Sequence, residues 1–324
     1  MTLVRHWKHI LCIALLCVSS AAFAQGFPNK PVRIIVPFPP GAATDILGRL
    51  LAQKLTEAWG QSVVVDNKPG AGGIVAAETA AKSPADGYTM FMGHIGTHGA
   101  NPALYSKLPY DPVKDFAPIT LLVTIPNLVA VHPALPVNNI RELIDLARAK
   151  PGALNVASPG VGTSAHLNIA LFKSLTGADL THVPFKGSVA AAQAIGGGEV
   201  QVWFDTVTSI MPQARSGKAK VLAVSSKERA LLAPDAPPLN DAGVPGFDVS
   251  TWFAFFVPAG TPRAIIDKIN ADTLRALQTK DTMDRMQSLG MNIAAGTPEQ
   301  LAAHVTSEIA RWGKVVREAN IKVE

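Results

Sequence analysis

Short β-branched runs alternate with amphipathic helical patterns along most of this 324-residue chain. The first strand candidates are "PVRIIVPF", "SVVVDN" and "YTMFMG", and helical patterns over "DILGRLLAQKLTEAWG" and "IVAAETAAK" separate them. Parallel strands need crossover connections of this kind, usually helices. The alternation therefore predicts an α/β protein with a largely parallel sheet.

A second series of strands and helices follows an extended, proline-punctuated stretch. Its helical patterns cover residues 138–150, 164–176, 188–195, 262–278, 281–289 and 298–318. Two proline-punctuated segments, near 123–136 and 233–247, are where the chain would pass between lobes. We predict one lobe from residues 25–125 and 245–324, a second lobe from residues 126–244, and a hinged cleft between them that traps a small ligand.

The N-terminus has the pattern of a secretory signal peptide. Arg5 and Lys8 precede the apolar run "ILCIALLCVSSAA" and the small-residue pattern "AFA" at 22–24. This order predicts cleavage after residue 24, and the apolar run is too short for a membrane-spanning helix. We expect an exported protein, periplasmic if the source is a Gram-negative bacterium. Cys12 and Cys17 precede the cleavage site, so the mature chain would have no disulfide, thiolate nucleophile or cysteine-ligated metal.

Glycine-bearing loops follow the apolar strands. They lie at 37–45, 68–73, 93–101, 158–166 and 185–188. In an open α/β sheet the carboxyl ends of the strands face the binding crevice, so we expect these loops to converge on one site. Three of them lead into a helix N-terminus, where free N–H groups and the positive dipole end favour an anion.

Several motifs of other anion-binding or catalytic sites are incomplete in these loops. "PGAGGIV" has Val75 where a dinucleotide-binding loop needs a third Gly or Ala, and no loop contains the Gly-Lys-Ser/Thr of a P-loop. Ser164 resembles a nucleophile elbow only loosely, because His166 stands two residues later instead of Gly. His94 and His98 have a metal-like spacing for a helix, but three nearby glycines predict a loop in which histidines bond to neighbouring backbone.

The loops carry few charged side chains. Their cationic residues are Lys68 and Lys186, whereas a phosphate receptor usually presents a bidentate arginine. Side-chain hydroxyl groups are more frequent: they belong to Thr44, Thr97, Ser158, Thr163, Ser164 and Ser188. We therefore expect a carboxylate held by neutral donors.

Two acidic residues stand out. Asp45, at a helix start, either offsets the helix dipole or shapes the ligand loop. Asp205, at the end of a strand, either caps the following helix or receives a ligand hydroxyl, amine or water.

Several motifs occur in one order through almost the whole chain after residue 24. They include "FPNKPVRIIVPFPPGAATD", "VVVDNKPGAGG", "SPADGYTMFMG", "GTHGANPALY", "SPGVGTSAHL", "HVPFKG" and "GGEVQVWFD". In order and number they resemble the Bug family of periplasmic receptors, the substrate-binding components of tripartite tricarboxylate transporters. The resemblance implies a two-lobed periplasmic-binding-protein type II fold, a small organic carboxylate as ligand and membrane permease subunits as partners. It also implies that the loop between the first strand and helix embraces the carboxylate.

One position departs from the family pattern. The family usually has Gly-Gly after the two prolines, whereas here Gly41 is followed by Ala42. A β-carbon at this position narrows the backbone conformations that are open to the loop.

These observations predict one ligand site. Its expected residues lie in the glycine-bearing loops and at the strand ends: Phe38, Pro39, Gly41, Ala42, Thr44, Asp45, Gly96, Thr97, Ser158, Thr163, Ser164, His166, Lys186, Gly187 and Asp205. We expect a monomeric receptor with no catalytic residue, cofactor or metal. Because the 29 basic and 24 acidic residues form no basic run, nucleic acid is not an expected partner. Two alternatives remain open: a sensor that presents its ligand-bound form to a membrane kinase, and a secreted hydrolase.

Overall fold

The computed structural model describes residues 26–318 and residue 321. The predicted signal peptide and both cysteines lie outside the described residues. Within the described part, no helix combines the length and the apolar character needed to cross a membrane.

The first part of the chain forms a parallel α/β unit. Its elements are β1 (Val32–Val36), α1 (Ala43–Trp59), β2 (Val63–Asn67), a 3₁₀ turn (Ala71–Gly73), α2 (Ile74–Ala81) and β3 (Thr89–His94). β1 lies between β2 and β3 and runs parallel to both. Four of its five residues are fully buried, because neighbouring elements cover both faces of the sheet. This two-sided burial explains why β1 reads as a continuous apolar run.

The segment after β3 is helical, so the loop predicted there from its glycines is wrong. Gly96–Ala100 forms a π-helical turn that continues into α3 (Asn101–Leu104). A β-carbon added to Gly99 would stand 3.3 Å from Cδ1 of Trp312, which lies in the C-terminal helix. The missing side chain lets the two helical segments pack closely, and this tertiary contact overrides the low helix propensity of glycine.

The second series of elements repeats the alternation of strands and helices. It consists of β4 (Phe116–Val131), α4 (Ile140–Ala149), β5 (Leu154–Ser158), α5 (Ser164–Thr176), β6 (Leu180–Pro184), α6 (Ser188–Gly196), β7 (Val202–Thr206), α7 (Val207–Arg215) and β8 (Lys220–Val224). β5 lies between β6 and β7 and runs parallel to both. The helices predicted over 138–150, 164–176 and 188–195 are confirmed with small shifts at their ends.

The last part of the chain returns to the first unit. Its elements are β9 (Ser250–Pro258), α8 (Arg263–Leu277), α9 (Lys280–Ser288), β10 (Asn292–Ile293) and α10 (Pro298–Glu318). The strand order is β2-β1-β3-β9-β4-β7-β5-β6, and β8 and β10 also pair with β4. The predicted α/β class is confirmed.

The long strand β4 connects two halves of the sheet. As far as Pro126 it pairs with β9, and from Asn127 onward it pairs with β7 and β8. The chain returns near Ser225, whose N–H donates to the Asn127 carbonyl at 2.8 Å and whose carbonyl accepts from the Val249 N–H at 2.9 Å. We call residues 26–126 and 250–318 the first half and residues 127–249 the second half.

Apolar side chains fill both faces of the sheet and continue from one half into the other. The largest fully buried ones include Trp203, Trp312, Phe91, Phe172 and Phe204. This core leaves the loops at the carboxyl ends of the parallel strands free to form a site between the halves.

Candidate functional site

An inner cavity of about 40 Å³ lies between the two halves. The first half contributes Phe38, Ala42, Ala43, Thr44, His94, Thr251 and Phe253 to its wall. The second half contributes Pro159, Thr163, Ser164, Gly187, Ser188, Asp205 and Thr206. The predicted convergence of the loops at 37–45, 158–166 and 185–188 is therefore present in the structure.

Four helices, α1, α5, α6 and α7, begin at this inner cavity. The Thr163 side chain caps α5, but α1, α6 and α7 begin without a capping side chain. The first N–H groups of a helix have no acceptor within the helix, and the dipole is positive at that end. The cavity is thus bordered by backbone donors that suit an anion.

No lysine or arginine is among the residues that line the inner cavity. His94 supplies no positive charge, because burial lowers its pKa to about 3 and leaves the imidazole neutral at pH 7. Asp205 is the one acidic side chain of the lining. An anion in this cavity would therefore be held by neutral groups and helix dipoles.

Asp205 lies on the second-half wall with 2% of its surface exposed. Its Oδ1 accepts a hydrogen bond from the Thr206 N–H at 2.7 Å, whereas its buried Oδ2 has no partner among the described residues. Burial raises the pKa of Asp205 to about 6, although the Thr206 N–H opposes the shift. Asp205 therefore keeps a free acceptor at the cavity.

Asp45 does not line the cavity but fixes the loop that does. Its Oδ2 accepts from the Gly41 N–H at 2.9 Å and from Arg49 Nε at 3.1 Å, and its Oδ1 accepts from Asn67 Nδ2 at 3.0 Å. Asn67 also donates to the Phe38 carbonyl at 2.9 Å. Burial works to raise the pKa of Asp45, but these hydrogen bonds outweigh it and hold the pKa below its usual value. Of the two roles expected for Asp45, shaping the loop is the one that these contacts describe.

An outer chamber of about 590 Å³ adjoins the inner cavity, and both are lined by Phe38, Pro159, Thr163 and Gly187. Its remaining lining is rich in glycine and proline: Pro39, Pro69, Gly70, Ala71, Gly72, Gly73, Gly160, Val161, Pro184, Phe185 and Lys186. Lys186 is its one cationic lining residue. The chamber offers an apolar space for the part of a ligand that lies beyond the anion.

The fifteen sequence-predicted residues divide into three groups. Those in the inner cavity are Phe38, Ala42, Thr44, Thr163, Ser164, Gly187 and Asp205. Pro39 and Lys186 line the outer chamber. Lining neither cavity are Gly41, Asp45, Gly96, Thr97, Ser158 and His166.

The hydroxyl groups expected from Thr97 and Ser158 bond within the protein. Thr97 Oγ1 accepts from the His94 N–H at 3.1 Å and lies 3.0 Å from His98 Nδ1. Ser158 Oγ lies 2.7 Å from His182 Nε2. These side chains therefore support the walls, because their polar atoms already have partners.

The histidine pair of β3 and the following turn bonds locally as well. His94 Nδ1 accepts from the Gly96 N–H at 3.0 Å, which confirms the interpretation that a histidine here bonds to neighbouring backbone. Among residues 26–318, no group of three His, Cys, Asp or Glu side chains is arranged to hold a metal ion.

The two halves touch around the cavities. Thr251 Oγ1 of the first half bonds to Ser164 Oγ of the second half and lies 3.1 Å from Asn127 Oδ1. A β-carbon added to Gly187 would stand 3.3 Å from the ring of Pro39. The walls of the two halves are therefore in direct contact at these positions.

Sequence reasoning missed Ala43, His94, Pro159, Thr206, Thr251 and Phe253 as lining residues, and it named Ser188 as a loop hydroxyl without placing it in the site. Ala43, Pro159 and Thr206 adjoin predicted residues, and the positions of Ala43 and Thr206 at helix starts were a usable signal. Thr251 and Phe253 lie in the apolar run of β9, where the sequence carries no sign that alternate side chains reach a cavity.

A comparison with protein families finds one match over most of the chain. The model of the tripartite tricarboxylate transporter family receptor matches residues 47–321. Protein BugT of Bordetella pertussis is 34% identical over 313 residues, which cover 96% of each chain.

Two solved structures from Rhodopseudomonas palustris are similar over nearly their whole length. Rpa4515, solved with adipate, has a TM-score of 0.88 and 36% identity, covering 91% of this chain and 99% of its own. MatC, solved with bound malate, has a TM-score of 0.85 and 38% identity, covering 90% of this chain and 100% of its own. At these identities the likeness extends beyond the fold.

Proposed function

The chain belongs to the tripartite tricarboxylate transporter receptor family, and from this premise we propose that it binds a small organic carboxylate between its two halves and delivers it to membrane permease subunits. Members of this family are solute-binding receptors. The relatives Rpa4515 and MatC were solved with adipate and malate, which are both carboxylates.

One observation carries this proposal: four helix N-termini border a cavity whose lining contains no lysine or arginine. Helix N-termini attract anions through free N–H groups and the helix dipole. A phosphate-rich ligand usually meets an arginine fork, and the inner cavity has none. A carboxylate fits this donor set because its single charge can be held by neutral hydrogen bonds.

In the proposed site, the carboxylate lies against the start of α1, with the Thr44 hydroxyl as a donor. The starts of α5, α6 and α7 would approach the ligand from the second half. We also propose that residues 25–125 and 245–324 act as one lobe and residues 126–244 as the other, with β4 as one connection between them. The pairing of β4 with β9 before Asn127, and with β7 and β8 after it, supports this division.

We propose that the protein is not an enzyme. The Ser164 and His166 side chains are bonded elsewhere: Ser164 Oγ forms a hydrogen bond with Thr251 Oγ1, and His166 Nδ1 accepts from the Gly162 N–H at 3.3 Å. The His166 ring stacks on His182 with the ring centroids 4.6 Å apart. A nucleophile and its base must bond to one another, so these contacts count against the hydrolase alternative.

Periplasmic location, release to a permease and a monomeric state complete the proposal. The family and the signal-peptide pattern of residues 1–24 support the location and the release to a permease. Ligand uptake by cells that contain the permease subunits, measured with and without this receptor, tests delivery.

Calorimetric titration with matched acids and amides tests carboxylate binding. Adipate and malate are compared with adipamide and malamide, which keep the carbon skeleton and lose the charge. We expect an acid to bind and to stabilise the fold by about 2.7 kcal/mol at 100 times its dissociation constant. Equal binding of an acid and its amide, or no binding by any acid, would contradict the proposed function.

A further inference from the structure

Asp205 Oδ2 is a buried hydrogen-bond acceptor with no partner among the described residues. The side chains of Ser188, Trp203 and Ser209 lie close enough to the carboxylate to oppose the rise of its pKa, but none of them makes a hydrogen bond to Oδ2, and the indole N–H of Trp203 is also without a partner among the described residues. A buried polar atom in a native protein is nearly always satisfied by protein, water or ligand. Because Asp205 lines the inner cavity, the missing partner belongs to what fills that cavity.

The charge of Asp205 restricts what the partner can be. No lysine or arginine lines the inner cavity, and His94 is neutral there because burial lowers its pKa to about 3. A ligand carboxylate bound at the helix N-termini would therefore share a small, poorly solvated space with a second carboxylate. Like charges in such a space repel unless a hydrogen-donating group lies between them.

The size of the inner cavity restricts where the donating group sits on the ligand. The cavity measures about 40 Å³, whereas the adjoining outer chamber measures about 590 Å³. The inner cavity thus admits the carboxylate and a substituent on the neighbouring carbon, and the remainder of the ligand extends into the apolar outer chamber. Hydroxyl and ammonium groups both donate to a carboxylate oxygen.

We propose that Asp205 is a specificity-determining residue that selects α-hydroxy or α-amino carboxylic acids over acids that lack a donor beside the carboxylate. The inference rests on the proposed function, because it assumes that a carboxylate occupies the inner cavity. A raised pKa of about 6 leaves Asp205 mostly ionised at pH 7.5, so Oδ2 accepts from the substituent at that pH.

Calorimetric titration at pH 7.5 with matched pairs tests the selection. The pairs are lactate and propanoate, malate and succinate, and phenyllactate and phenylpropanoate, with alanine and phenylalanine as the ammonium members. In at least one series we expect the substituted acid to bind tenfold or more tightly than its unsubstituted partner, as for a hydrogen bond to a charged group. If no substituted acid is bound more tightly than its partner, the inference is wrong.

Asp205→Asn tests whether this residue makes the selection. The asparagine keeps an oxygen for the Thr206 N–H and replaces the free acceptor by a donor. We expect the affinity ratio within the selective pair to fall to about one in Asp205→Asn, and to stay at its wild-type value in Asp179→Asn, which removes the same charge from the exposed surface of the second half. An unchanged ratio in a folded Asp205→Asn protein would assign the selection to another residue and overturn the proposal.

The same titrations separate this inference from the proposed function. Tight binding of adipate or succinate with no gain from an α-substituent overturns the role of Asp205 and leaves the carboxylate receptor intact. Equal binding of acids and amides overturns both. Absence of any α-substituent preference in the wild type overturns the inference even if Asp205→Asn does not fold.

Discussion

A β-carbon added to Gly72 would stand 2.6 Å from the carbonyl oxygen of Val161, on the opposite half of the molecule. Gly72 lies in the 3₁₀ turn after β2, and Val161 lies in the loop between β5 and α5. Because the contact joins two backbones, a change of rotamer cannot relieve it. The bare α-carbon of Gly72 therefore lets the two halves come together over the cavities.

We predict that Gly72→Ala weakens carboxylate binding by holding the halves apart. Gly60→Ala is the matched control, because Gly60 has nearly the same φ, 64° against 60°, and has open space around its α-carbon. Both variants should lose roughly 1 kcal/mol of stability from the left-handed backbone. Only Gly72→Ala should lose binding, by tenfold or more, in a titration with the best-binding acid.

Small-angle scattering adds a check on the cause. The radius of gyration of the ligand-saturated wild type should be smaller than that of ligand-saturated Gly72→Ala. Wild-type affinity in Gly72→Ala would show that the halves do not need this contact to enclose the ligand.

Asp45→Asn should loosen the loop between β1 and α1. Whichever way the new amide turns, its NH₂ faces a donor, either the Gly41 N–H with Arg49 or the Asn67 amide. We expect a loss of about 1–2 kcal/mol in the free energy of unfolding, and weaker carboxylate binding, because the displaced loop carries the start of α1. Urea denaturation and titration measure the two effects.

Asp284→Asn is the control for Asp45→Asn. Asp284 pairs with Lys280 at 2.6 Å on the surface, where both side chains are exposed. Exposed pairs contribute about 0–1 kcal/mol, so this variant should change stability little and binding not at all. If Asp45→Asn changes stability and binding as little as Asp284→Asn does, the loop between β1 and α1 holds its shape without the Asp45 carboxylate.

Half of the residues that line the inner cavity could be predicted from the chain's glycine-bearing loops and strand ends. Thr44, Ser164 and Asp205 stand where strands end and helices begin, and this arrangement follows from local sequence and from the rule that strand ends face the crevice. Thr251 and Phe253 could not be found in this way. They reach the cavity because β9 pairs between β3 and β4, which is a contact between distant parts of the chain.

Hydroxyl groups show a second limit of sequence reasoning. Thr97 and Ser158 have the same residue types and loop positions as Thr44 and Ser164, yet their hydroxyls face His98 and His182. The side of a loop on which a side chain lies depends on backbone angles and on neighbours from other elements. The helical turn at Gly96–Ala100 was missed for the same reason, since its stability comes from packing against α10.

Two threonines of the inner cavity should respond differently to loss of their hydroxyls. Thr44 Oγ1 is buried without a partner among the described residues, whereas Thr163 Oγ1 accepts from the His166 N–H at 3.3 Å and donates to the Gly160 carbonyl at 2.7 Å. Thr44→Val should leave the unliganded protein as stable or more stable, because it removes an unsatisfied polar group. Thr163→Val should lower stability by about 1–2 kcal/mol through loss of the α5 cap.

Binding distinguishes the two threonines further. Thr44→Val should raise the dissociation constant of a carboxylate about tenfold or more, since the free hydroxyl is available to donate to it. A pair of variants with equal losses of stability would show that Thr44 Oγ1 has a structural partner in solution.

The final prediction concerns the pH dependence of stability without ligand. Burial raises the pKa of Asp205 from 3.8 to about 6, so the folded protein holds this proton more tightly than the unfolded chain does. Asp205 therefore leaves the free energy of unfolding unchanged below pH 3.8. Between pH 3.8 and 6 its ionisation increasingly destabilises the folded state, and above pH 6 this loss stays constant at about 3 kcal/mol. Asp205→Asn removes the charge and keeps an acceptor for the Thr206 N–H. The variant should thus be more stable than the wild type at pH 8, by up to about 3 kcal/mol, and equally stable near pH 4.

Urea denaturation of both proteins at pH 4, 6 and 8 measures this difference. Burial also lowers the pKa of His94 and His182 to about 3 and that of His166 to about 4, so both proteins should lose stability as pH falls below about 6.5. These histidine contributions are common to wild type and variant and cancel when the two curves are subtracted. What remains is the Asp205 contribution alone. If Asp205→Asn is less stable than the wild type at pH 8, Oδ2 has a hydrogen-bond partner in the unliganded protein. The Asp205 carboxylate would then stabilise the fold and would not be free to accept from a ligand.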